Sequence, residues 1–278
     1  MTVTRLETRR VEKIWGRREL LPTFGLVEEN GEPVGEIWFE DPRGSDPELL
    51  VKYLFTSERL SIQVHPDDEA ARRAGHPRGK DEAWVVLAAE PDATIGIGLR
   101  ALASRAQLRA AALDGRIEQM IDWRPAKAGD VYYSPAGTIH ALGPGLALVE
   151  VQQNVDLTYR LYDYGRPREL HLEEGIAVSE PEPYSASFEP FEIEGGRIIL
   201  ADGPAFVLER WTIPVRGQLN EARPLWLIPV EGGGTIDDER MEAGTAWLVE
   251  GPAQITIDEG SDFLIAYPGS GVSEHLPA

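Results

Sequence analysis

The stretch GDVYYSPAGTIH, residues Gly129–His140, decides the fold. Its aromatic and β-branched residues predict a strand, and Pro135 and Gly137 predict a fixed bend directly after that strand. The bend returns His140 toward the interior of the fold. A rigid turn that presents one imidazole is what a metal site needs from a ligand, so we expect His140 to be a metal ligand rather than a packed core histidine.

This stretch fits the pattern G-x5-P-x-G-x2-H, and in this it resembles the second signature of the cupin barrels. The usual asparagine of that signature is absent, since Pro144 stands there, and the H-x-H of the first signature is here Gln63-x-His65. Alternate residues of a strand share a face, so Gln63 and His65 can converge on one metal ion. For these two residues in isolation, an amphipathic strand facing solvent would be the preferred interpretation.

The segment GKDEAW, residues Gly79–Trp84, places a charged pair directly before an apolar strand. Taken alone, it is typical of a surface turn that leads into a strand. The functional interpretation puts the Glu82 carboxylate in the metal shell and directs the Lys80 ammonium at an anionic substrate.

The rest of the 278-residue chain consists mostly of short strand patterns bounded by Gly, Pro or Asp. Helical spacing is limited to Asp67–Ala74 and Ser104–Ile121, and the proline-rich stretch Glu180–Pro190 separates two series of strands. We therefore predict an all-β fold of two consecutive cupin-like β-barrel or jelly-roll domains. The predicted domains are residues 1–180, with a small helical insertion at about 100–122, and residues 181–278.

The charge excludes several kinds of partner. The chain carries 27 basic and 47 acidic residues, a net charge of −20, and residues 169–278 hold 21 of the acids against five arginines. Such a surface would repel nucleic acid and anionic lipid. No apolar run approaches the ~20 residues of a membrane span, and we expect no signal peptide. The lack of cysteine excludes disulfides and thiolate sites. We expect a cytoplasmic monomer that binds a small molecule.

Four motifs in a fixed order point to one family: LSIQVHPDD, GKDEAW, SPAGTIHAL and Asp156–Arg160. In this order they resemble the type I mannose-6-phosphate isomerases, and the segments KIWG (13–16) and GEIW (35–38) resemble the N-terminal pattern of that family. The resemblance runs from about Glu12 to Tyr164 and continues more loosely beyond. It implies the short bacterial form, in which a catalytic cupin domain precedes a second β-domain.

The resemblance also implies a site. It implies one Zn²⁺ per chain, for which amide, carboxylate and imidazole donors are suitable, although Mn²⁺ and Fe²⁺ stay open. Gly79 stands where some relatives carry a histidine, so a ring-opening role of that histidine does not transfer to this chain. The implied metal ligands are Gln63, His65, Glu82 and His140; the implied catalytic residues are Lys80, Asp156 and Arg160; the implied substrate-binding residues are Trp15, Lys52 and Ser61.

The implied reaction is the reversible isomerisation of D-mannose 6-phosphate and D-fructose 6-phosphate through a cis-enediol. Lys80 would assist ring opening or bind O1 and O2, and Asp156 would move a proton or orient Arg160; the general base stays open. One alternative is a metal-dependent cupin oxygenase, which normally prefers the H-x-H start and a redox metal. Another is a non-catalytic sugar-binding cupin, which the complete ligand set with Lys80 and Arg160 disfavours.

Overall fold

The computed structural model describes residues 2–28, 30–185 and 188–277. In the first half of the chain the elements are β1 (Thr2–Arg5), β2 (Glu7–Arg17), β3 (Val34–Glu40), β4 (Leu49–Phe55), β5 (Ile62–Val64), α1 (Asp68–Arg73), β6 (Glu82–Ala89), β7 (Thr94–Leu99), α2 (Arg105–Asp114), α3 (Ile117–Met120), β8 (Ile121–Pro125), β9 (Val131–Ser134), β10 (His140–Leu142), β11 (Leu146–Gln153) and β12 (Tyr159–Tyr162). Then follow α4 (Leu172–Val178), β13 (Phe191–Ile193), a 3₁₀ turn (Glu194–Gly196), β14 (Arg197–Asp202), β15 (Phe206–Trp211), β16 (Val215–Leu219), β17 (Leu225–Glu231), β18 (Gly233–Ile236), β19 (Glu239–Glu242), β20 (Trp247–Glu250), β21 (Ala253–Ile257) and β22 (Asp262–Pro268).

The strands form four antiparallel sheets. The N-terminal unit, β2 to β12, contains a six-stranded sheet of order β2-β3-β4-β11-β6-β9 and a five-stranded sheet of order β12-β5-β10-β7-β8. The C-terminal unit, β13 to β22, contains a four-stranded sheet, β16-β21-β18-β19, and a seven-stranded sheet, β1-β20-β17-β22-β15-β14-β13, to which β1 adds at the edge. The predicted all-β fold with a small helical insertion is confirmed, and α2 and α3 are that insertion. The domain boundary at residue 180 stays a prediction.

Strand β11 illustrates how the six-stranded sheet is buried on both faces. Leu148 and Glu150 face the interior of the N-terminal unit, whereas Val149 and Val151 belong to a core shared with the C-terminal unit. Neighbouring residues of a strand point to opposite faces. Because both faces are covered, the strand is an apolar run up to Val151, and Glu150 and Gln152 are the polar residues on its inner face.

Helices cover the outer face of the five-stranded sheet. On β5, Ile62 and Val64 are fully buried in the core formed with Leu108 of α2, while Gln63 between them faces the interior of the N-terminal unit. The helix layer therefore fixes the strand that presents Gln63 and leads to His65. Within the described residues, no helix is both long enough and apolar enough to cross a membrane.

Candidate active site

Three side chains of ligand type meet inside the N-terminal unit, each at the end of a strand. His65 follows β5, Glu82 begins β6 and His140 begins β10. Nε2 of His65 lies 3.3 Å from Oε1 of Glu82, and Nε2 of His140 lies 3.4 Å from Oε2. Each of the three residues is at most 2% exposed. Together they form a buried cluster that could hold a metal ion.

Backbone carbonyls determine which nitrogen of each imidazole faces Glu82. Nδ1 of His65 lies 2.9 Å from the carbonyl oxygen of Leu157, and Nδ1 of His140 lies 3.0 Å from that of Thr138. A carbonyl oxygen can only accept, so each Nδ1 carries the proton and each Nε2 presents a lone pair. Metal-bound imidazoles in proteins commonly use their second nitrogen in this way.

The donor atoms of the cluster fit a metal cation. Oε1 of Glu82 accepts a hydrogen bond from Nζ of Lys80 at 2.8 Å, but Oε2 is buried and has no hydrogen-bond partner among the described residues. A buried carboxylate oxygen without a partner is costly. Because this oxygen and two imidazole lone pairs face one another, a cation among them would satisfy all three.

Gln63 reaches the cluster through the pairing of β5 with β10, which sets it directly opposite His140. Its Nε2 lies 3.3 Å from Nε2 of His140, and its Oε1 accepts from the hydroxyl of Ser61 at 3.0 Å. To act as a ligand, Gln63 would turn its amide over so that Oε1 faces the cluster. The Ser61 hydroxyl could then accept from the amide nitrogen, because a hydroxyl both donates and accepts. Gln63 stays a predicted ligand.

Burial and the Lys80 charge set the protonation of the cluster. Burial, together with the adjacent Lys80 ammonium, lowers the pKa of His65 to about 4, and burial lowers the pKa of His140. Burial alone would raise the pKa of Glu82, but the Lys80 ammonium holds it well below its ordinary value. Burial disfavours the charged form of Lys80, yet Glu82 keeps the pKa of Lys80 above its ordinary value. At neutral pH the cluster therefore combines neutral imidazoles with a carboxylate and an ammonium.

The bend at Pro135–Gly137 fixes the approach of His140, as the sequence predicts. Gly137 has a left-handed φ of 89°, a conformation that favours glycine, and its N–H donates to the carbonyl oxygen of His65 at 2.8 Å. The N–H of Ala136 donates to Oδ1 of Asp81 at 2.9 Å. The bend is thus hydrogen-bonded to the segments that carry His65 and Glu82.

A pocket extends from the cluster toward solvent between the two sheets of the N-terminal unit. Gln63, Glu82 and His140 lie in its wall, and His65 lies behind them. The structure brings the other predicted site residues to the same pocket, and their roles stay predictions. These lining residues are Trp15, Lys52, Ser61, Lys80, Asp156 and Arg160.

The cations of this pocket differ in their partners. Nζ of Lys52 donates to Oε1 of Gln152 at 2.5 Å and lies 3.2 Å from Oε1 of Glu150, so its charge is already balanced. The guanidinium of Arg160 makes no hydrogen bond or ion pair with any residue that the structure describes. Arg160 is therefore available to an anionic ligand.

Four charged residues of the pocket wall were missed by the site prediction from sequence. Glu150 accepts from Nε1 of Trp84 at 3.0 Å, and Glu36 accepts from Nε1 of Trp38. An acid within an apolar strand was the available signal for Glu150, because carboxylates are rarely buried without partners. The four residues are Lys13, Glu36, Glu150 and Arg168.

Gly79 allows no side chain at its position. A Cβ there would lie 2.5 Å from the backbone carbon of Asp67 and from the nitrogen of Asp68. The Gly79 N–H also donates to Oδ1 of Asp68 at 2.8 Å. Residue 79 therefore supplies no side chain to the pocket, and a larger residue would have to displace the start of α1.

Comparisons with known proteins identify relatives of the chain and proteins of the same fold. No model of a protein family matches the chain. Mannose-6-phosphate isomerase from Streptococcus mutans is 31% identical over 268 residues, covering 82% of this chain and 84% of the relative. The crystal structure of mannose 6-phosphate isomerase from Bacillus subtilis matches with a TM-score of 0.81 and 26% identity, over 96% of this chain and 99% of that one. A zinc-bound holo mannose 6-phosphate isomerase shares the fold, with a TM-score of 0.72 and 16% identity over 97% of this chain and 100% of that one. The predicted cupin-like fold is confirmed.

Proposed function

The chain belongs to the type I mannose-6-phosphate isomerases, and from this premise we propose that it interconverts D-mannose 6-phosphate and D-fructose 6-phosphate with one bound Zn²⁺. The observation that carries the proposal is the pocket itself. It combines a buried donor cluster that fits a metal with a guanidinium that is free for an anion. A metal-dependent isomerase of a sugar phosphate would use the cation for the reacting oxygens of the sugar and the guanidinium for its phosphate.

We assign the metal to His65, Glu82 and His140, with Gln63 as the fourth ligand. Two imidazoles and two oxygen donors suit Zn²⁺, and the neutral imidazoles of this cluster are the form that binds a metal. The zinc-bound structure of a protein with the same fold supports the same choice of metal. When bound, Zn²⁺ would supply positive charge for the substrate oxygens that become negative as the enediol forms.

Lys80 is assigned as a hydrogen-bond donor to O1 and O2 of the open-chain sugar. Its ammonium is held by Glu82 and lines the pocket beside the cluster. Because its pKa lies above the ordinary lysine value, Lys80 stays charged at neutral pH. A charged ammonium stabilises negative charge on an oxygen, but it has no lone pair with which to take a proton from carbon.

Arg160 is assigned to the phosphate, because it is free of carboxylates and a guanidinium can bind two phosphate oxygens at once. Asp156 lines the same pocket and makes no hydrogen bond or ion pair within the described part of the chain. It is assigned to proton transfer between C1 and C2. Lys52 and Ser61 are assigned to sugar hydroxyls, and Trp15 to the apolar wall against which the sugar lies.

An assay with a panel of hexose phosphates tests the proposed function. Purified, metal-analysed protein should form fructose 6-phosphate from mannose 6-phosphate, and the reverse, without consuming oxygen. Oxygen uptake with a sugar-derived substrate would support a cupin oxygenase instead. Tight sugar phosphate binding without turnover would support a binding protein. Either result, obtained with a full complement of metal, would contradict the isomerase proposal.

A further inference from the structure

A buried tyrosine–aspartate pair lies behind the metal cluster and outside the pocket. Asp81 stands between Lys80 and Glu82 in the sequence, but its side chain lies on the opposite face of the chain and is absent from the pocket wall. Oδ2 of Asp81 accepts a hydrogen bond from the hydroxyl of Tyr133, and Oδ1 accepts from the N–H of Ala136 at 2.9 Å. Both residues are at most 5% exposed.

This pair holds the bend that delivers His140. Ala136 is the middle residue of the bend, and four residues later His140 presents its Nε2 to Glu82. Besides the bond to Asp81, the bend is held by the bond from the Gly137 N–H to the carbonyl oxygen of His65 and by the bond from the Glu180 N–H to the carbonyl oxygen of Gly137. Loss of the Asp81 contact would leave both remaining bonds on Gly137 and none on the N–H of Ala136, so the bend and His140 could shift relative to Glu82.

The same tyrosine touches the C-terminal unit. The ring of Phe206 lies 5.5 Å from its ring, centroid to centroid. Gly203 packs so closely that a Cβ there would lie 2.0 Å from the Tyr133 hydroxyl oxygen. The turn between β14 and β15 therefore sets the position of this hydroxyl, which in turn sets the position of Asp81.

We propose that Asp81 and Tyr133 are positioning residues that adjust metal affinity, and that through them the C-terminal unit acts on the metal centre. The inference rests on the proposed function in one respect only, namely that the cluster holds a metal. Neither residue touches the metal or the substrate. Their effect is transmitted by the bend to the Nε2 atom of His140. The conformation of the turn between β14 and β15 therefore determines how accurately that atom is oriented toward Glu82.

Tyr133→Phe tests this proposal with a matched control. The variant removes one hydroxyl and keeps the ring against Phe206. Tyr53→Phe is the control, because Tyr53 is 2% exposed in the same core and its hydroxyl has no hydrogen-bond partner among the residues that the structure describes. Zinc affinity is measured by competition with a chromophoric chelator, and the ligand geometry is measured from the visible spectrum of the Co²⁺-substituted protein.

We expect Tyr133→Phe to bind zinc about tenfold more weakly and to change the Co²⁺ spectrum. A tenfold loss of affinity is at the lower end of what is found when a residue that supports a metal ligand is substituted. Tyr53→Phe should match wild type in both measurements. Asp81→Ala should weaken affinity at least as much as Tyr133→Phe. Asp81→Asn should recover part of that loss, since its amide oxygen can still accept from Ala136.

The C-terminal arm of the proposal is tested with Gly203→Ala. The added methyl group collides with the Tyr133 hydroxyl, so zinc affinity should fall although residue 203 is remote from the cluster. A purely structural role predicts that Tyr133→Phe lowers only the melting temperature of the metal-free protein and keeps the affinity and Co²⁺ spectrum of wild type; that result would overturn the proposal. Because these measurements need no substrate, they stay decisive even if the isomerase assay fails.

Discussion

At the scale of single residues, the geometry of the candidate metal site depends on backbone carbonyls as much as on the side chains of His65, Glu82 and His140. The carbonyls of Leu157 and Thr138 hold the protons of both imidazoles on Nδ1 and leave the Nε2 lone pairs facing Glu82. The motifs predict the ligand types, because residue type and spacing are visible in the sequence. The tautomers are not predictable in this way, because the carbonyl that serves His65 lies 92 residues further along the chain.

His140→Ala should lose both the metal and turnover. The substitution removes one imidazole donor and leaves Glu82 buried with a single histidine, so the cluster no longer encloses a cation. Metal content by mass spectrometry and isomerase activity should fall together. His76→Ala is the matched control, because His76 lies outside the cluster, in the loop after α1. A metal-free His140→Ala protein with full activity would disprove the ligand assignment.

Arg160→Ala should lower kcat/KM because a charge-assisted contact to the phosphate is lost. The decrease should correspond to a loss of about 2–4 kcal/mol of transition-state stabilisation. Metal content should stay at the wild-type level, since the Arg160 guanidinium makes no hydrogen bond or ion pair with His65, Glu82 or His140. Arg160→Lys should recover only part of the rate, because a point charge does not reproduce the planar guanidinium. Loss of zinc or of folding in these variants would indicate that Arg160 is structural instead.

At the scale of secondary-structure elements, predictability follows burial. Strands β6, β11 and β22 are covered on both faces and are therefore apolar runs that the sequence displays. Strand β2 has no apolar pattern that would predict it, because its first residues, ETRR, are polar and exposed at a sheet edge. Strand β10 has three residues and forms because His140 pairs with Gln63 of β5 on one side and with Ile97 of β7 on the other. These pairings join residues that are far apart in the chain, so no local sequence pattern indicates the strand.

The turn after β3 provides a pH-dependent contribution to stability. Arg43 binds both carboxylate oxygens of Asp41 and also reaches Glu250 of β20, and the hydrogen bonds from Arg43 hold the pKa of Asp41 far below its ordinary value. A lowered pKa in the folded state stabilises the protein above the ordinary value of about 3.9 and loses this effect as the pH falls below it. Asp41→Asn should therefore destabilise the protein at neutral pH.

Urea denaturation at several pH values measures this effect. The difference in unfolding free energy between wild type and Asp41→Asn should be largest at pH 7 and should shrink as the pH falls below about 4. Glu69→Gln, which removes an exposed ion pair with Arg73, should stay within about 0.5 kcal/mol of wild type at pH 7. A difference for Asp41→Asn that is independent of pH would contradict the assigned role of the charge.

At the scale of the whole molecule, the two units share one core. Val51 and Tyr53 of the six-stranded sheet pack in the same cluster as Trp226 and Leu264 of the seven-stranded sheet. Strand β1 crosses over as well, since Val3 pairs with Val249. Neither feature is visible in local sequence patterns, because both join residues that are far apart in the chain. The site motifs all lie in the N-terminal unit, but this unit contributes only part of the core that it shares with the C-terminal unit.

A chain truncated to residues 1–180 should therefore not fold stably. Removal of the C-terminal unit would expose the outer face of the six-stranded sheet and leave β1 without its partner β20, which favours aggregation. Size-exclusion chromatography and thermal unfolding of this fragment measure the outcome. A soluble, cooperatively folded monomer of residues 1–180 would show that the shared core is dispensable.

The proposed zinc-dependent isomerase is tested most directly by measuring zinc content and isomerase activity in one preparation during chelation and reconstitution. Activity should disappear with the zinc and return in proportion as zinc is restored, reaching its maximum at one ion per chain. Two results would contradict it: full turnover by the metal-free protein, or a second tightly bound ion that persists in His140→Ala and supports activity there.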